Sequence, residues 1–186
     1  MQIANPVYLD LETTGLDPRN DEILEIGILA DDGTVLFDSL VRPIRHRTRR
    51  RAQTIHGISP ADVCDAPMLD ALRSRIREAV ADREVVIYNA PFDAGFLSAE
   101  LAGAAGIHCA MRPFAEAFGE WSPEYDEWHW QRLQVAAAHV GFLWPGDSHR
   151  AINDCQATRA VWHWLAQQPA PAAAPAQRNR RIQEAL

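Results

Sequence analysis

A pair of acidic residues inside an apolar segment near the N-terminus is the feature that most constrains the fold. Residues 7–11 (VYLDL) are β-branched, aromatic or aliphatic apart from one aspartate, which predicts a β-strand. Side chains two positions apart on a strand leave the same face, so Asp10 and Glu12 should point together while Leu9 and Leu11 pack on the other face. Adjacent carboxylates repel unless a cation lies between them, and oxygen ligands favour Mg²⁺ or Mn²⁺ over zinc. The pair predicts a metal-binding strand, with a solvated polar strand end as the alternative.

A third carboxylate follows the apolar run at residues 85–88. After the break NAPF at residues 89–92, Asp93 lies at or near the start of a predicted helix that carries Phe96 and Leu97. Taken by itself, Asp93 is typical of an acidic residue that the dipole at a helix N-terminus stabilises.

A histidine and an aspartate, His149 and Asp154, lie five positions apart in the segment HRAINDCQAT. Positions with this spacing differ by about 140° around an ideal helix, so the two side chains cannot share a helical face. An amphipathic pattern predicts a helix that begins near Ile152 or Asn153, which places Asp154 in its first turn and His149 on the preceding loop. The alternatives are an ordinary loop histidine and a capping aspartate.

Together these segments supply four carboxylates and one neutral imidazole, the set of groups that two-metal phosphodiester hydrolysis requires. The chain resembles the DEDDh branch of the DnaQ-like 3′–5′ exonucleases over about residues 5–166. Its motif sequences resemble most those of proofreading exonucleases of the polymerase III epsilon type. The resemblance rests on D-x-E-T-T-G at Asp10 and Glu12, N-A-x-F-D at Asp93, and H-x-x-x-x-D at His149 and Asp154.

The resemblance implies an RNase H-like α/β/α fold and two divalent ions, Mg²⁺ or Mn²⁺. The four carboxylates would bind the ions, and His149 would act as the general base. The expected reaction releases 5′-mononucleotides from the 3′ end of DNA, single-stranded or frayed. The alternatives are RNA 3′-end trimming, an oligoribonuclease-type activity, or a non-catalytic nucleic-acid-binding module. The residues expected to contact the terminal nucleotide are Thr13, Thr14, Ile55, His56 and Phe92.

Composition fits an enzyme that holds one strand end. The chain has 186 residues and a net charge of −7, which argues against bulk electrostatic coating of nucleic acid. One basic cluster could guide a phosphate backbone or be a solvated loop: Arg45, Arg47, Arg49, Arg50 and Arg51.

Three dispersed cysteines predict reduced thiols in a cytoplasmic protein, with Cys155 a packing residue rather than a nucleophile. The segment before residue 7 is too short for a signal peptide, and no apolar run reaches membrane-spanning length.

The predicted elements form a meander followed by βα units, which indicates a mixed five-stranded sheet flanked by helices. Strands are predicted at about 5–11, 22–30, 34–42, 84–89 and 107–111, and helices from Asp65 and at about 91–104, 129–140 and 151–167.

The chain divides into an exonuclease domain at residues 1–167 and an Ala/Pro-rich, flexible tail at residues 168–186. The tail could bind a polymerase or another repair component. The aromatic segment at residues 121–130 (WSPEYDEWHW) is predicted to form core or a lid, with stacking on unpaired bases as the alternative.

Overall fold

The first strand of the chain lies at the centre of a mixed five-stranded sheet. A computed structural model describes residues 3–45, 50–146 and 149–169. The first three strands form an antiparallel meander, and the last two run parallel to the central strand in the order β3-β2-β1-β4-β5. The strands are β1 Pro6–Thr13, β2 Ile23–Ala30, β3 Val35–Leu40, β4 Glu84–Ile87 and β5 Gly106–Cys109.

Helices cover both faces of this sheet, so the predicted α/β/α arrangement is confirmed. The helices are α1 Arg50–His56, α2 Leu69–Val80, α3 Ala90–Leu97, α4 Met111–Phe118, α5 Leu133–His139 and α6 Ala151–Leu165. A short 3₁₀ turn spans Leu101–Gly103, and a separate two-stranded hairpin consists of β6 Trp121–Ser122 and β7 Glu127–Trp128.

Alternation along β1 divides the core into two layers. Val7, Leu9 and Leu11 belong to the apolar cluster that includes buried residues of α2 and α3. Tyr8 belongs to the cluster on the other face, formed with α4, α5 and α6. The central strand is therefore buried from both sides, and Asp10 shares its parity with Tyr8.

Helix α6 begins unusually close to the sheet because β2 carries a glycine beneath it. Gly27 is the register partner of Asp10, and a Cβ on Gly27 would lie 2.7 Å from the backbone carbonyl carbon of Ala151. The Cys155 thiol is buried and donates to the Gly27 carbonyl at 3.3 Å, which confirms its prediction as a packing residue. The start of α6 is thus fixed directly above the register position of Asp10.

Several element boundaries differ from the predictions. The predicted helix at about 91–104 ends at Leu97 because the chain turns to bring Glu100 inward, where its buried carboxylate pairs with Arg73. The helix predicted from Asp65 begins only at Leu69, since Met68 before it is extended. The helix predicted at about 129–140 begins at Leu133.

Two helices escaped sequence prediction for identifiable reasons. The basic helix α1 buries only His56, so its sequence lacks the apolar periodicity from which a helix is predicted. Helix α4 has eight residues and carries Pro113 in its first turn, a position where proline is tolerated but obscures the pattern.

The aromatic segment at residues 121–130 forms the small hairpin and the chain that follows it. The rings of Trp121 and Trp128 pack edge to face at 5.1 Å. Tyr125 and Trp130 are exposed, so these two residues do not form core, whereas the lid and base stacking both stay predictions.

Parts of two predictions lie outside the described residues: Arg47 and Arg49 of the basic cluster, and the tail from residue 170 onward. Within the described ranges, no helix has the length and apolar character needed to cross a membrane.

Replacing Gly27 with alanine should lower the free energy of unfolding by about 1–3 kcal/mol, the usual range for overpacking a tight core. The added methyl group would meet the backbone of Ala151, which cannot move without displacing α6. Urea denaturation measures the change. Gly103→Ala is the matched control because its Cβ would enter open space. Equal stability of Gly27→Ala and the wild type would show that α6 does not depend on this close approach.

Candidate active site

The acidic pair on β1 lies where the strand approaches the start of α6. Asp10 is half-buried and Glu12 is buried. Leu9 and Leu11 are buried in the core on the opposite face, as the alternation predicted. The alternative of a solvated polar strand end is therefore wrong for Glu12, whose carboxylate is removed from bulk solvent.

Helix α6 and the loop before it bring the third segment to the same place. Ligand atoms of Glu12, His149 and Asp154 all lie within 4.8 Å of one another. Asp154 occupies the first turn of α6, as predicted, although the helix begins slightly earlier, at Ala151. Sequence positions far apart on the chain thus converge on a single cluster.

His149 has a left-handed backbone conformation, with φ of 64°. Histidine adopts this region more readily than most residues, but the conformation still needs support from neighbouring contacts. The His149 backbone N–H donates to Asp154 Oδ1 at 3.2 Å, and the Gln134 side-chain nitrogen lies 3.2 Å from His149 Nε2. Burial lowers the pKa of the imidazole, which favours its neutral form.

Helix α3 supplies Asp93 from its first turn, as predicted, and the side chain is buried. Backbone N–H groups of Asp93 and Leu11 help to lower its pKa, but burial outweighs them and raises it to about 8. A Cβ on Gly95 of the same helix would lie only 3.2 Å from the Pro18 side chain, so the loop after β1 approaches α3 closely.

Electrostatic repulsion couples the four carboxylates. Burial raises the pKa of Asp10 well above its usual value, and the charges of Asp154, Asp93 and Glu12 raise it further. Burial and the charges of neighbouring carboxylates raise the pKa of Glu12 to about 8, and burial raises that of Asp154 to about 6. Glu12 and Asp154 share the geometric group with His149, and charge repulsion links Asp10 and Asp93 to it, so simultaneous ionisation of the four acids requires compensating positive charge.

The last residue of β1, Thr13, and the residue after it, Thr14, stabilise the loop that follows the acidic pair. The Thr13 hydroxyl donates to the Gly15 carbonyl at 2.7 Å, and the Thr14 hydroxyl donates to Asp21 Oδ1 at 3.3 Å. Thr14 also donates its backbone N–H to the Glu22 carbonyl at 2.8 Å. Gly15 leaves room for the Asp21 carboxylate, which a Cβ at this position would displace from its contact with Thr14.

The other residues predicted to contact a nucleotide differ in exposure. Ile55 is 56% exposed, whereas His56 is 6% exposed and lies at the end of α1. His56 Nδ1 accepts from the Ile58 backbone N–H at 3.0 Å. Burial lowers the pKa of the His56 imidazole, although a contact with the Thr13 backbone opposes this shift. Phe92 is half-buried and packs edge to face on Phe96 at 5.3 Å.

Three further residues at this site were not predicted from sequence: Gln134, Glu25 and Arg150. Gln134 contacts the His149 ring from α5, while Arg150 forms an ion pair with the buried Glu25 of β2. The adjacency of Arg150 to His149 was visible in the sequence, but its partner could be identified only from the strand register.

A protein-family model described as "Exonuclease" (RNase_T) matches residues 7–162. The uncharacterised exonuclease CP81 of Escherichia phage 186 is 31% identical over 172 residues, covering 86% of this chain and 87% of that protein. The DNA polymerase III epsilon subunit of Rickettsia conorii is 38% identical over 106 residues, covering 54% of this chain and 46% of the subunit.

Solved structures show the same fold at lower sequence identity. Exonuclease X, in complex with 5′-overhanging duplex DNA, has a TM-score of 0.65 at 24% identity and covers 86% of this chain and 90% of that one. Escherichia coli exonuclease I with a dT13 oligonucleotide has a TM-score of 0.72 at 16% identity, covering 89% and 41% respectively. These likenesses agree with the predicted RNase H-like fold. Because the exonuclease model spans the sheet and all three acidic segments, the chain belongs to the DnaQ-like exonuclease family and is an exonuclease.

Proposed function

We propose that this protein is a metal-dependent exonuclease that removes 5′-mononucleotides from the 3′ end of DNA, with two divalent ions and a histidine general base. The observation that carries this proposal is the grouping of Glu12, His149 and Asp154 within 4.8 Å of one another. The charges of Asp93 and Asp154 also act on Asp10, which links the other two predicted acids to this group. Hydrolysis of a phosphodiester needs an activated water and stabilised negative charge, and this set of groups provides for both.

The residues fit divalent ions with a preference for oxygen ligands. Asp10, Glu12, Asp93 and Asp154 offer carboxylate oxygens in a site where the raised pKa values indicate excess negative charge. Mg²⁺ and Mn²⁺ prefer such ligands. When bound, these ions would make a water molecule more acidic and neutralise charge on the phosphate. Asp10 and Asp93 would hold one ion, and Asp10, Glu12 and Asp154 the other.

His149 accepts the proton of the attacking water in this proposal. Its lowered pKa keeps the ring neutral, so a ring nitrogen can act as a base near neutral pH. The water oxygen forms a bond to phosphorus as the bond to the 3′ oxygen breaks. The departing 3′ oxygen takes a proton and becomes the new terminal hydroxyl, and the phosphate remains on the released nucleotide.

The terminal nucleotide would lie between the loop after β1, the end of α1 and the start of α3. The exposed Ile55 offers an apolar surface, and the buried His56 imidazole offers a polar group beside the Thr13 backbone. Phe92 is adjacent to Asp93 and can form part of the wall. Thr13 and Thr14 would contribute mainly by shaping the loop, because their hydroxyls already bond within it.

DNA is the favoured substrate because the solved structures with this fold include complexes with duplex DNA and single-stranded oligonucleotides. Arg45, Arg50 and Arg51 are exposed and could contact a phosphate backbone. We also propose that the exonuclease domain ends at residue 167 and that the tail binds a polymerase or another repair component. The proposed location of the protein is the cytoplasm.

The proposal is tested with 5′-labelled single-stranded DNA, duplex DNA with a recessed 3′ end, and RNA of the same sequence. Mg²⁺ or Mn²⁺ should support stepwise shortening from the 3′ end, since the carboxylates need these ions as counter-charge. EDTA should abolish the reaction, and a blocked 3′ terminus should resist it. Products bearing 3′ phosphates, or full activity in EDTA, would contradict the mechanism. Faster hydrolysis of RNA would favour the RNA-trimming alternative.

Replacing His149 with alanine should lower kcat by about 10²–10⁴-fold, the range for loss of a positioned acid–base group. Single-turnover hydrolysis of a labelled oligonucleotide measures this change. His163→Ala is the control, because His163 pairs with Asp31 and lies in the last turn of α6. This turn is about 20 Å along the helix axis from the first turn, which carries Asp154. Unchanged turnover in His149→Ala would assign the base to another group.

A further inference from the structure

A further carboxylate, which is buried, lies directly opposite one of the proposed metal ligands. Glu25 of β2 is 2% exposed and is the register partner of Glu12 on β1. Like charges opposite each other on paired strands are destabilising, and burial increases the repulsion. Glu25 contributes to the raised pKa of both Asp10 and Glu12. The proposed mechanism assigns Glu25 no role, so a buried charge at this position needs a physical explanation.

Both oxygens of Glu25 bind donors at the start of α6. Arg150 Nε lies 3.0 Å from Oε1 and 3.2 Å from Oε2, and Arg150 Nη2 lies 2.6 Å from Oε1. The Ala151 backbone N–H donates to Oε2 at 3.0 Å. Such a forked, charge-assisted contact fixes direction as well as distance. Because these donors occupy both oxygens, Glu25 is poorly placed to act as a fifth metal ligand.

The donors belong to the short stretch of chain between His149 and Asp154. Arg150 directly follows His149, whose backbone is left-handed. The Arg150 carbonyl accepts the backbone N–H of Asp154 at 3.0 Å. An anchor at Arg150 and Ala151 therefore restrains both functional residues at once. The glycine at position 27 lets the same stretch lie against β2.

We infer that Glu25 and Arg150 are positioning residues that hold His149 and Asp154 in register with the carboxylates of β1. This inference rests on the proposed function. Neither residue need contact the substrate: Glu25 fixes Arg150 and Ala151 to β2, and the chain on either side carries the reactive groups. The Arg150 guanidinium also opposes the rise in the pKa of Glu12, so the pair adds an anchor with little net charge.

Arg150→Lys separates positioning from simple charge compensation. Lysine keeps the positive charge but lacks the planar fork that binds both oxygens of Glu25. If geometry is what matters, Arg150→Lys should lower kcat by about 10–100-fold with little change in KM, as expected when a residue that orients a metal site is altered. Glu25→Gln should also lower kcat, because it removes the charge-assisted contacts while preserving side-chain shape.

The matched control is the ion pair between Arg73 of α2 and Glu100, neither of which is a proposed ligand. Its carboxylate is also almost fully buried, at 1% side-chain exposure, and its arginine is similarly half-exposed. Arg73→Lys should lower thermal stability without changing kcat. This control distinguishes loss of a buried ion pair in general from loss of the anchor at α6.

A second readout uses the metal-free protein. NMR spectra should show that Arg150→Lys shifts the backbone amide resonances of His149 and Asp154, whereas Arg73→Lys leaves them in place. Wild-type kcat and unshifted amides in Arg150→Lys would overturn the inference, whatever the loss in melting temperature. Failure of the proposed function would look different from failure of this inference, because the wild type itself would then show no metal-dependent hydrolysis.

Discussion

The concentration of like charges beside the central strand is the constraint on which the rest of the site depends. Asp10 and Glu12 occupy one face of β1 because strand geometry allows no other arrangement, and α3 and α6 add a carboxylate each. A protein interior favours none of these charges in isolation. The surrounding structure therefore has to hold the carboxylates together against their own repulsion, which the proposed divalent ions would relieve.

Backbone proximity, more than side-chain packing, achieves this. Gly27 lets α6 approach β2, and Gly15 leaves room for Asp21 to tie down the loop after β1. Glu25 binds Arg150 and the backbone beside it. These contacts place the proposed catalytic residues at element ends, where a side chain can be exposed while its backbone remains fixed by the sheet.

The sequence predicted the central features well because they depend on local rules. Alternation predicted the shared face of Asp10 and Glu12, and apolar periodicity placed Asp154 in the first turn of α6. Contacts that depend on register or long-range approach could not be predicted this way. The Glu25 anchor requires knowledge of which strand residue faces Glu12, and helix α1 lacks an apolar stripe altogether.

The most direct test of the central claim is the pH dependence of unfolding for the wild type and Asp10→Asn, in EDTA and then in Mn²⁺. In EDTA the acids have raised pKa values when folded, so the native state binds more protons, and stability should fall as pH rises from about 4 to about 8. At pH 8, Asp10→Asn should be the more stable protein. Mn²⁺ should reverse this order, stabilising the wild type by about 2.7 kcal/mol at 100 times its Kd. The account would be contradicted if the free energy of unfolding of the wild type changed neither with pH nor with Mn²⁺. It would also be contradicted if Asp10→Asn were less stable than the wild type in EDTA at pH 8.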